Sequence, residues 1–426
     1  MTVDALISGL ARRFYRHIMT LPEATGGVQL PVPDAGKTYL LYLHVPFCVV
    51  LCPFCTFHRV KFMQRSAQSY FASLRREIEL VTHNGFRFDE LYVGGGTPTV
   101  LPEDLVATVE LVRRLHSVAS ISVETNPDHL AKAGVRRLLD AGVNRLSVGV
   151  QSFDDALLRE MQRLDKYGSG GEIRERLKKT RGAFDTLNVD MIFNFPHQTE
   201  ASLRRDLDVL VDDVGIDQVS YYPLMAPEIA QQTMQEHMGH VEHAREQRFY
   251  ELIVERLLGA GYSRNSAWCF SRRSGLADEY IVEREEYLGL GSGAFSYLNG
   301  TLFASTFSIS RYQELVGAGK TGAVRDRPLA ERDQMRYYLL MRLFGGSLDC
   351  RRAETRFDGG FRRKLWPEIK ALQTFGAIRT SGERLQLTET GYYLWVTLMR
   401  EFFTGINNLR EQMRQQVPAD DRAAPN

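Results

Sequence analysis

From residue 39 the chain alternates short apolar runs with longer stretches whose apolar residues recur every three or four positions. The runs at 39–45, 90–94, 120–124, 145–150, 187–193 and 218–222 read as strands. The stretches 67–81, 105–115, 130–139, 155–161 and 202–210 read as amphipathic helices. Strands alternating with helices at this spacing predict a parallel sheet with helical crossovers. Six units are fewer than the eight that close a barrel. The predicted fold is therefore α/β, a partial (β/α)6 barrel whose open side another part of the chain must cover.

After about residue 224 the alternation stops. A helical stretch at 244–258 leads to Trp268-Cys269-Phe270 and then to a glycine-rich run at 289–293. From about residue 328 the pattern is helices, a short hairpin (378–380 and 385–387, with Gly382 in the turn) and a further helix. That pattern suits either a winged-helix appendage or an irregular helical cap. The expected organisation is an amphipathic extension at 1–36, the barrel at 37–225, a barrel-covering segment at 226–327, a smaller, mainly helical C-terminal domain at 328–417 and a polar disordered tail at 418–426.

Composition narrows the class. Lys+Arg (53) and Asp+Glu (52) nearly cancel, which argues against a nucleic-acid binder with its basic excess. No apolar run approaches the ~20 residues that cross a bilayer, and the N-terminus lacks a secretory pattern. Five cysteines, three of them within eight residues, do not suit a disulfide framework. They suit a reducing cytoplasm with thiolates reserved for a metal.

Directly after the first strand, Tyr42-Leu-His-Val-Pro-Phe-Cys48-Val-Val-Leu-Cys52-Pro-Phe-Cys55 sets three cysteines at C-x3-C-x2-C. Thiolates are the soft ligands that iron–sulfur clusters select. Three ligands on a four-iron cluster leave one iron open, which is a catalytic arrangement. A zinc site is the other possibility, since His44 and His58 stand nearby. The remaining unusual residues, Gly94 to Gly96, Glu124, Gln151 and Asp190, also follow or finish predicted strands, so one rim of the barrel would collect them all.

On these motifs the chain resembles the radical S-adenosylmethionine (SAM) superfamily, in the branch of the oxygen-independent coproporphyrinogen III oxidases. The resemblance also rests on Gly94-Gly-Gly-Thr-Pro-Thr99, Glu124-Thr-Asn-Pro, Gly149-Val-Gln-Ser-Phe153, Asp190-Met-Ile-Phe-Asn-Phe-Pro196 and Gly291-Ser-Gly-Ala-Phe-Ser-Tyr297, all in order. It implies that Cys48, Cys52 and Cys55 hold a [4Fe–4S] cluster that cleaves SAM reductively. It implies that Tyr42, Phe54, Gly95, Gly96, Thr97, Glu124, Gln151, Arg163 and Asp190 surround SAM. After Arg163 the segment Leu-Asp-Lys-Tyr-Gly-Ser-Gly-Gly departs from the family's usual continuation. Gly291 and Gly293, facing Gly95 and Gly96, would flank a second SAM. An electron donor such as flavodoxin or ferredoxin is implied, with a small unsaturated substrate, no nucleic acid and a monomeric chain.

Two SAM molecules would permit methyl transfer: the 5′-deoxyadenosyl radical from the first abstracts hydrogen from the second's methyl group, and the resulting radical adds to an sp2 carbon. This is the logic of the class C radical SAM methyltransferases and of related cyclopropane-forming enzymes. Phe57 stands where true coproporphyrinogen oxidases carry a further cysteine, which counts against decarboxylation. Haem chaperones share the Cys-x-Phe and form the binding-protein alternative. Ser266-Ala-Trp-Cys-Phe-Ser271 and Asp278-Glu-Tyr-Ile281 suggest a specialised substrate. The expectation is a C-methyltransferase acting on an unsaturated acceptor, a quinone such as menaquinone among the candidates; coproporphyrinogen or other tetrapyrrole chemistry is the alternative. Two apolar stripes at helical spacing bear on this: Leu6, Ile7, Leu10, Phe14 and Ile18, and Phe402, Phe403, Ile406 and Leu409. Each reads as a packed helix or as an interfacial one, and peripheral membrane contact by both would suit a lipophilic acceptor. Cys269 reads as a small buried hydrophobe, and Cys350 carries no legible role.

Overall fold

The computed structural model describes residues 9, 12, 17–22, 28–225, 239–273 and 284–417. The stretches Asp278-Glu-Tyr-Ile281 and 418–426, and Leu6, Ile7, Leu10 and Phe14, lie outside the described residues.

The six expected strands form side by side as β1 (Tyr39–Val45), β2 (Phe88–Gly95), β3 (Ser120–Thr125), β4 (Arg145–Gln151), β5 (Thr186–Phe193) and β6 (Gln218–Pro223). All neighbours in this series pair in parallel. β1 is buried at every position, as expected of a strand covered on both faces. The first crossover helix, Gln64–His83, shows the driving pattern: Ala67, Tyr70, Phe71, Leu74, Ile78 and Val81 are buried at three- and four-residue intervals. It extends past the predicted 67–81 because its outer turns are polar and carry no apolar period. The helix Glu200–Asp208 passes into a π-helical turn, Val209–Val214, which ends on Gly215 in the left-handed region (φ 65°).

The sheet does not stop at six strands. Beyond β6 the chain adds the short β7 (Ser263–Arg264) and β8 (Cys269–Ser271), then crosses to the other edge for β9 (Tyr287–Leu290), β10 (Phe295–Leu298), β11 (Thr301–Ser305) and β12 (Ala323–Pro328). Among the described residues the result is a twelve-stranded sheet in the order β12-β11-β10-β9-β1-β2-β3-β4-β5-β6-β8-β7. Thus the described residues of 226–327, a segment expected to cover the barrel, add strands to both edges of the sheet. Cys269 sits fully buried in β8, as a small hydrophobe would.

The C-terminal region follows the winged-helix order: helix Glu331–Phe344, strand β13 (Ser347–Asp349), helices Cys350–Arg356 and Trp366–Thr374, then the hairpin β14 (Ile378–Ser381) and β15 (Arg384–Leu387). Gly382 makes the hairpin turn at φ 59°, a conformation without cost only for glycine. Cys350 opens its helix, and its N–H donates to the Glu383 carbonyl at 2.8 Å.

The long final helix, Glu389–Gln415, lies against the body of the protein. Its stripe does not form an exposed face, contrary to the interfacial expectation: Phe402 and Leu409 are buried, Phe402 packs on Tyr337, and Phe403 packs on Trp268. Burial against protein satisfies the apolar surface that a membrane would otherwise take. Ile18 is buried as well, and the Arg12 side chain donates to Glu401 at 2.8 Å, so the described part of the N-terminal stretch docks on the same helix. Among the described residues no helix is long and apolar enough to cross a membrane.

Candidate active site

The chemistry-bearing residues gather at the C-terminal ends of β1 to β6. Cys48, Cys52 and Cys55 line one cavity of about 240 Å³. Tyr42, Phe54, Gly95, Gly96 and Thr97 line the same cavity, as do Glu124, Gln151, Arg163 and Asp190.

The loop that carries the cysteines is held by its own backbone and by arginines. Cys55 N–H closes a turn on the Cys52 carbonyl at 3.2 Å, and Phe62 N–H donates to the Cys48 carbonyl at 2.8 Å. Arg59 donates to the Cys52 and Cys55 carbonyls at 2.6 and 2.8 Å. The Cys48 thiol lies 3.5 Å from the Thr97 hydroxyl, and burial pushes it up to about 11. A metal charge would reverse that penalty, because a coordinating thiol is deprotonated outright. Among the described residues no three His, Cys, Asp or Glu side chains converge as they would on a single ion. The three thiols line one cavity, and thiolates are the soft donors that an iron–sulfur cluster takes.

His44 and His58 are not turned toward these thiols. The His44 ring bridges the Tyr42 hydroxyl and the His58 carbonyl, each at 2.9 Å, and burial lowers its pKa to about 4. His58 meets the Ser292 hydroxyl at 3.1 Å and packs on Phe307. Both rings belong to a buried network behind the loop.

The Gly94-Gly-Gly turn is glycine for close approach, but to the protein itself. A Cβ on Gly94 would fall 2.7 Å from the Glu124 carboxylate, and one on Gly95 (φ 117°) 2.7 Å from the His44 ring. Gly96 and Thr97 donate their N–H groups to the Val45 and Phe47 carbonyls, both at 2.8 Å, which seats this turn against the cysteine loop.

Two carboxylates face the cavity. Glu124 accepts from Gly95 N–H and the Tyr92 hydroxyl, both at 3.0 Å. Burial, and then the nearby Asp190, push its pKa up to about 7. Asp190 accepts from Ser147 at 2.7 Å and Asn188 at 2.8 Å. Such a pair fits a ligand with ammonium and sulfonium charges, as SAM has, since a cation would relieve the repulsion.

Gln151 enters the cavity through backbone strain: a register shift between Gly149 and Gln151 marks a bulge, and Gln151 takes φ 78°. Asp206 steadies this turn from beneath, accepting from Ser152 Oγ and Phe153 N–H at 2.7 and 2.8 Å. Arg163 keeps its place despite the unusual segment that follows it. It donates to the Gly149 carbonyl, reaches Cys52 Sγ at 3.7 Å and stacks over Tyr167 at 4.1 Å. The segment that departs from the family pattern forms a short helix, Leu164–Tyr167, and the Ser169 cap of the next.

Gly291 and Gly293 require a correction. They do not line the cavity. A Cβ on Gly293 (φ 84°) would fall 2.5 Å from the His58 ring, and one on Gly291 (φ 95°) 2.5 Å from the Tyr70 hydroxyl. Gly291 N–H is tied to buried Glu77 at 2.9 Å. The run is a tight structural turn that buttresses the histidine network behind the cysteine loop, so a second SAM does not find its expected glycine wall there.

The sequence reading missed the far wall of the cavity. Phe403, Asn407 and Arg410 from the final helix close it, with Tyr222 near the end of β6 and Leu224 and Met225 just past it. The helix stripe was visible in the sequence; which surface it covered was not.

Residues 42–210 match the family model described as the radical SAM superfamily. The chain is 26% identical to the haem chaperone HemW of Lactococcus lactis over 372 residues, 85% of this chain and 96% of that protein. It is 29% identical to an anaerobilin synthase of Escherichia coli, across 83% of this chain and 81% of that protein. In structure it superposes on coproporphyrinogen III oxidase (HemN) from Escherichia coli with a TM-score of 0.72 at 23% identity, covering 86% and 90% of the two chains. Over residues 42–210 the chain is similar to the radical SAM superfamily. Its fold is that of the coproporphyrinogen III oxidase, and the residues gathered in its cavity fit a [4Fe–4S] cluster and SAM, the cofactors of the superfamily it resembles. Those names do not carry the methyltransferase expectation, and the displaced glycine turn removes the placement on which it rested.

Proposed function

We propose that this chain is a radical SAM enzyme acting on a ring of the tetrapyrrole class. The observation that carries the reading is the single cavity that joins the three cysteines and two carboxylates to an aromatic and apolar far wall. Cys48, Cys52 and Cys55 would hold the cluster, which when bound supplies the electron that splits SAM into methionine and a 5′-deoxyadenosyl radical. Glu124 and Asp190 would meet the cationic groups of SAM, and Gln151 its polar edge. Phe57, Tyr222, Met225 and Phe403 would hold the ring and exclude water. The relatives' names support the substrate class, since they concern haem, coproporphyrinogen and anaerobilin.

A second reading is methyl transfer to an unsaturated ring such as a quinone. One observation favours it: Phe57, at the place of the oxidases' extra cysteine, stands on the cavity wall. One experiment separates the two. Anaerobically reconstituted protein is given SAM, a reductant and, in turn, coproporphyrinogen III, haem and menaquinone. The tetrapyrrole reading expects 5′-deoxyadenosine to rise with a tetrapyrrole, together with a change in that ring's absorbance. If only menaquinone stimulates turnover and S-adenosylhomocysteine accumulates, the first reading fails and the second stands.

A further inference from the structure

The cavity is chemically polarised. At the strand ends it presents the carboxylates of Glu124 and Asp190; across from them the final helix presents Phe403, Asn407 and Arg410. These three positions are spaced i, i+4 and i+7, so one helix face carries them all. Asn407 and Arg410 are buried. Arg410 Nη1 donates to Asn407 Oδ1 at 3.0 Å, and its guanidinium lies 4.6 Å from the centre of the Phe57 ring. Phe57 is the position at which this chain departs from the oxidases' cysteine. A guanidinium seated by its face on an aromatic ring keeps its edge donors in plane, which suits recognition of an oxygen acceptor.

We infer that Arg410 is a specificity-determining residue for the substrate, seated by Phe57 and oriented by Asn407. Its ligand is an oxygen acceptor at the edge of a flat conjugated ring, with the ring body against Phe403. The acceptor is either a tetrapyrrole carboxylate or a quinone carbonyl; the chemistry toward the guanidinium is the same. The inference rests on the reading that this cavity is the substrate site, and it turns that reading into a residue-level claim. It also assigns Phe57 a role: a cysteine there would offer no aromatic seat.

The test is a binding titration on reconstituted protein with two probes, coproporphyrin III for the carboxylate and menadione for the carbonyl. The wild type should bind at least one. Arg410→Met should weaken that probe tenfold or more, Arg410→Lys should lose part of the affinity because it keeps the charge without the fork, and Phe57→Leu should cost less than either. Iron content and a thermal melt report whether each variant has folded. If Arg410→Met fails to fold, Arg410→Lys and Phe57→Leu decide, and unchanged affinity in both overturns the inference. So does unchanged affinity in folded Arg410→Met, or a wild type that binds neither probe. Arg410-dependent binding of menadione alone sustains the inference while sinking the tetrapyrrole reading. Arg410-independent binding of coproporphyrin does the reverse.

Discussion

The two walls of the cavity are built in opposite ways. The near wall follows the strand series in order: Cys48, Gly95, Glu124 and Gln151 sit at or near the ends of β1 to β4, marked by a cysteine loop after β1, a glycine turn at β2 and a bulge in β4. The far wall is formed largely by one face of a helix that follows nearly the whole chain, joined by Tyr222, Leu224 and Met225, and the helix's polar residues are interleaved with an apolar stripe of which only Phe403 lines the cavity. Chemistry common to a superfamily can be fixed by the first wall. On the proposed function, substrate choice falls to the second, because an appended helix can change its face without disturbing the strand ends. Changes on the near wall should therefore abolish SAM chemistry whatever the substrate, whereas changes on the far wall should alter which ring is accepted.

The largest effect is expected at the cysteines. Replacing Cys48, Cys52 or Cys55 with Ala should remove the cluster's absorbance and abolish SAM cleavage, while Cys269→Ala and Cys350→Ala should retain full iron content. Iron retained in any of the three motif variants would break the ligand assignment. Next comes Glu124. Its pKa of about 7 lies above the ~4.3 of an unfolded glutamate. Between those values the native state holds a proton that the unfolded state has lost, so this group's contribution to stability falls as pH rises through that window. Binding of cationic SAM favours the ionised form, so SAM affinity should rise with pH through about 7. Glu124→Gln should flatten that profile and weaken SAM by about 10- to 100-fold, the worth of a lost charge-assisted interaction. A sloping profile in the variant, measured anaerobically by calorimetry, would assign the titration to another group.

How much of this was legible beforehand follows from the physics of each element. β1 to β6 were readable almost to the residue, because largely buried strands concentrate apolar residues in short runs set apart from the helical periods on either side. β7 to β12 were not, since two- to six-residue strands leave too few positions for a period to show. Gln151 and Asp190 were placed at the rim from their positions alone, yet the bulge that turns Gln151 inward has no local signature. Gly291 and Gly293 show the opposite failure. Glycine marks a backbone that something approaches closely, but a sequence cannot say whether that neighbour is a ligand or the protein; here it is His58 and Tyr70. Arg410 was hidden because its meaning depends on Phe57, at the other end of the chain.

The corrected role of the glycine turn gives a prediction of intermediate size. Gly293→Val adds a branched Cβ at φ 84°, where His58 already occupies the space. Strain at such a position costs about 1–3 kcal/mol, and displacement of the buried ring adds to it. The variant should melt several degrees lower and load less iron, since the histidine network supports the cysteine loop. Normal stability with selective loss of a SAM-derived product would instead restore the glycine run to the active site.

The smallest effect is expected where the two walls touch. Arg414 donates to the carbonyls of Thr56 and Phe57 at 3.3 and 3.0 Å, so the final helix holds the end of the cysteine loop directly. These are charge-assisted bonds to neutral acceptors, partly exposed, and removing both should cost about 1–2 kcal/mol. Glutamine keeps much of the packing but cannot span both carbonyls. Arg414→Gln should therefore leave the fold and SAM binding close to wild type, yet speed cluster loss to a chelator by about fivefold to thirtyfold, the same free energy expressed as a ratio. Hydrogen exchange would locate the cause: amides of 55–58 and of the last turns of Glu389–Gln415 should gain exchange together, because each restrains the other. If the cysteine loop loosens while the helix does not, the loop is held mainly by Arg59, which donates to Cys52 and Cys55 from within the near wall. The two walls would then be mechanically independent, and the far wall could vary its substrate face without any effect on the cluster.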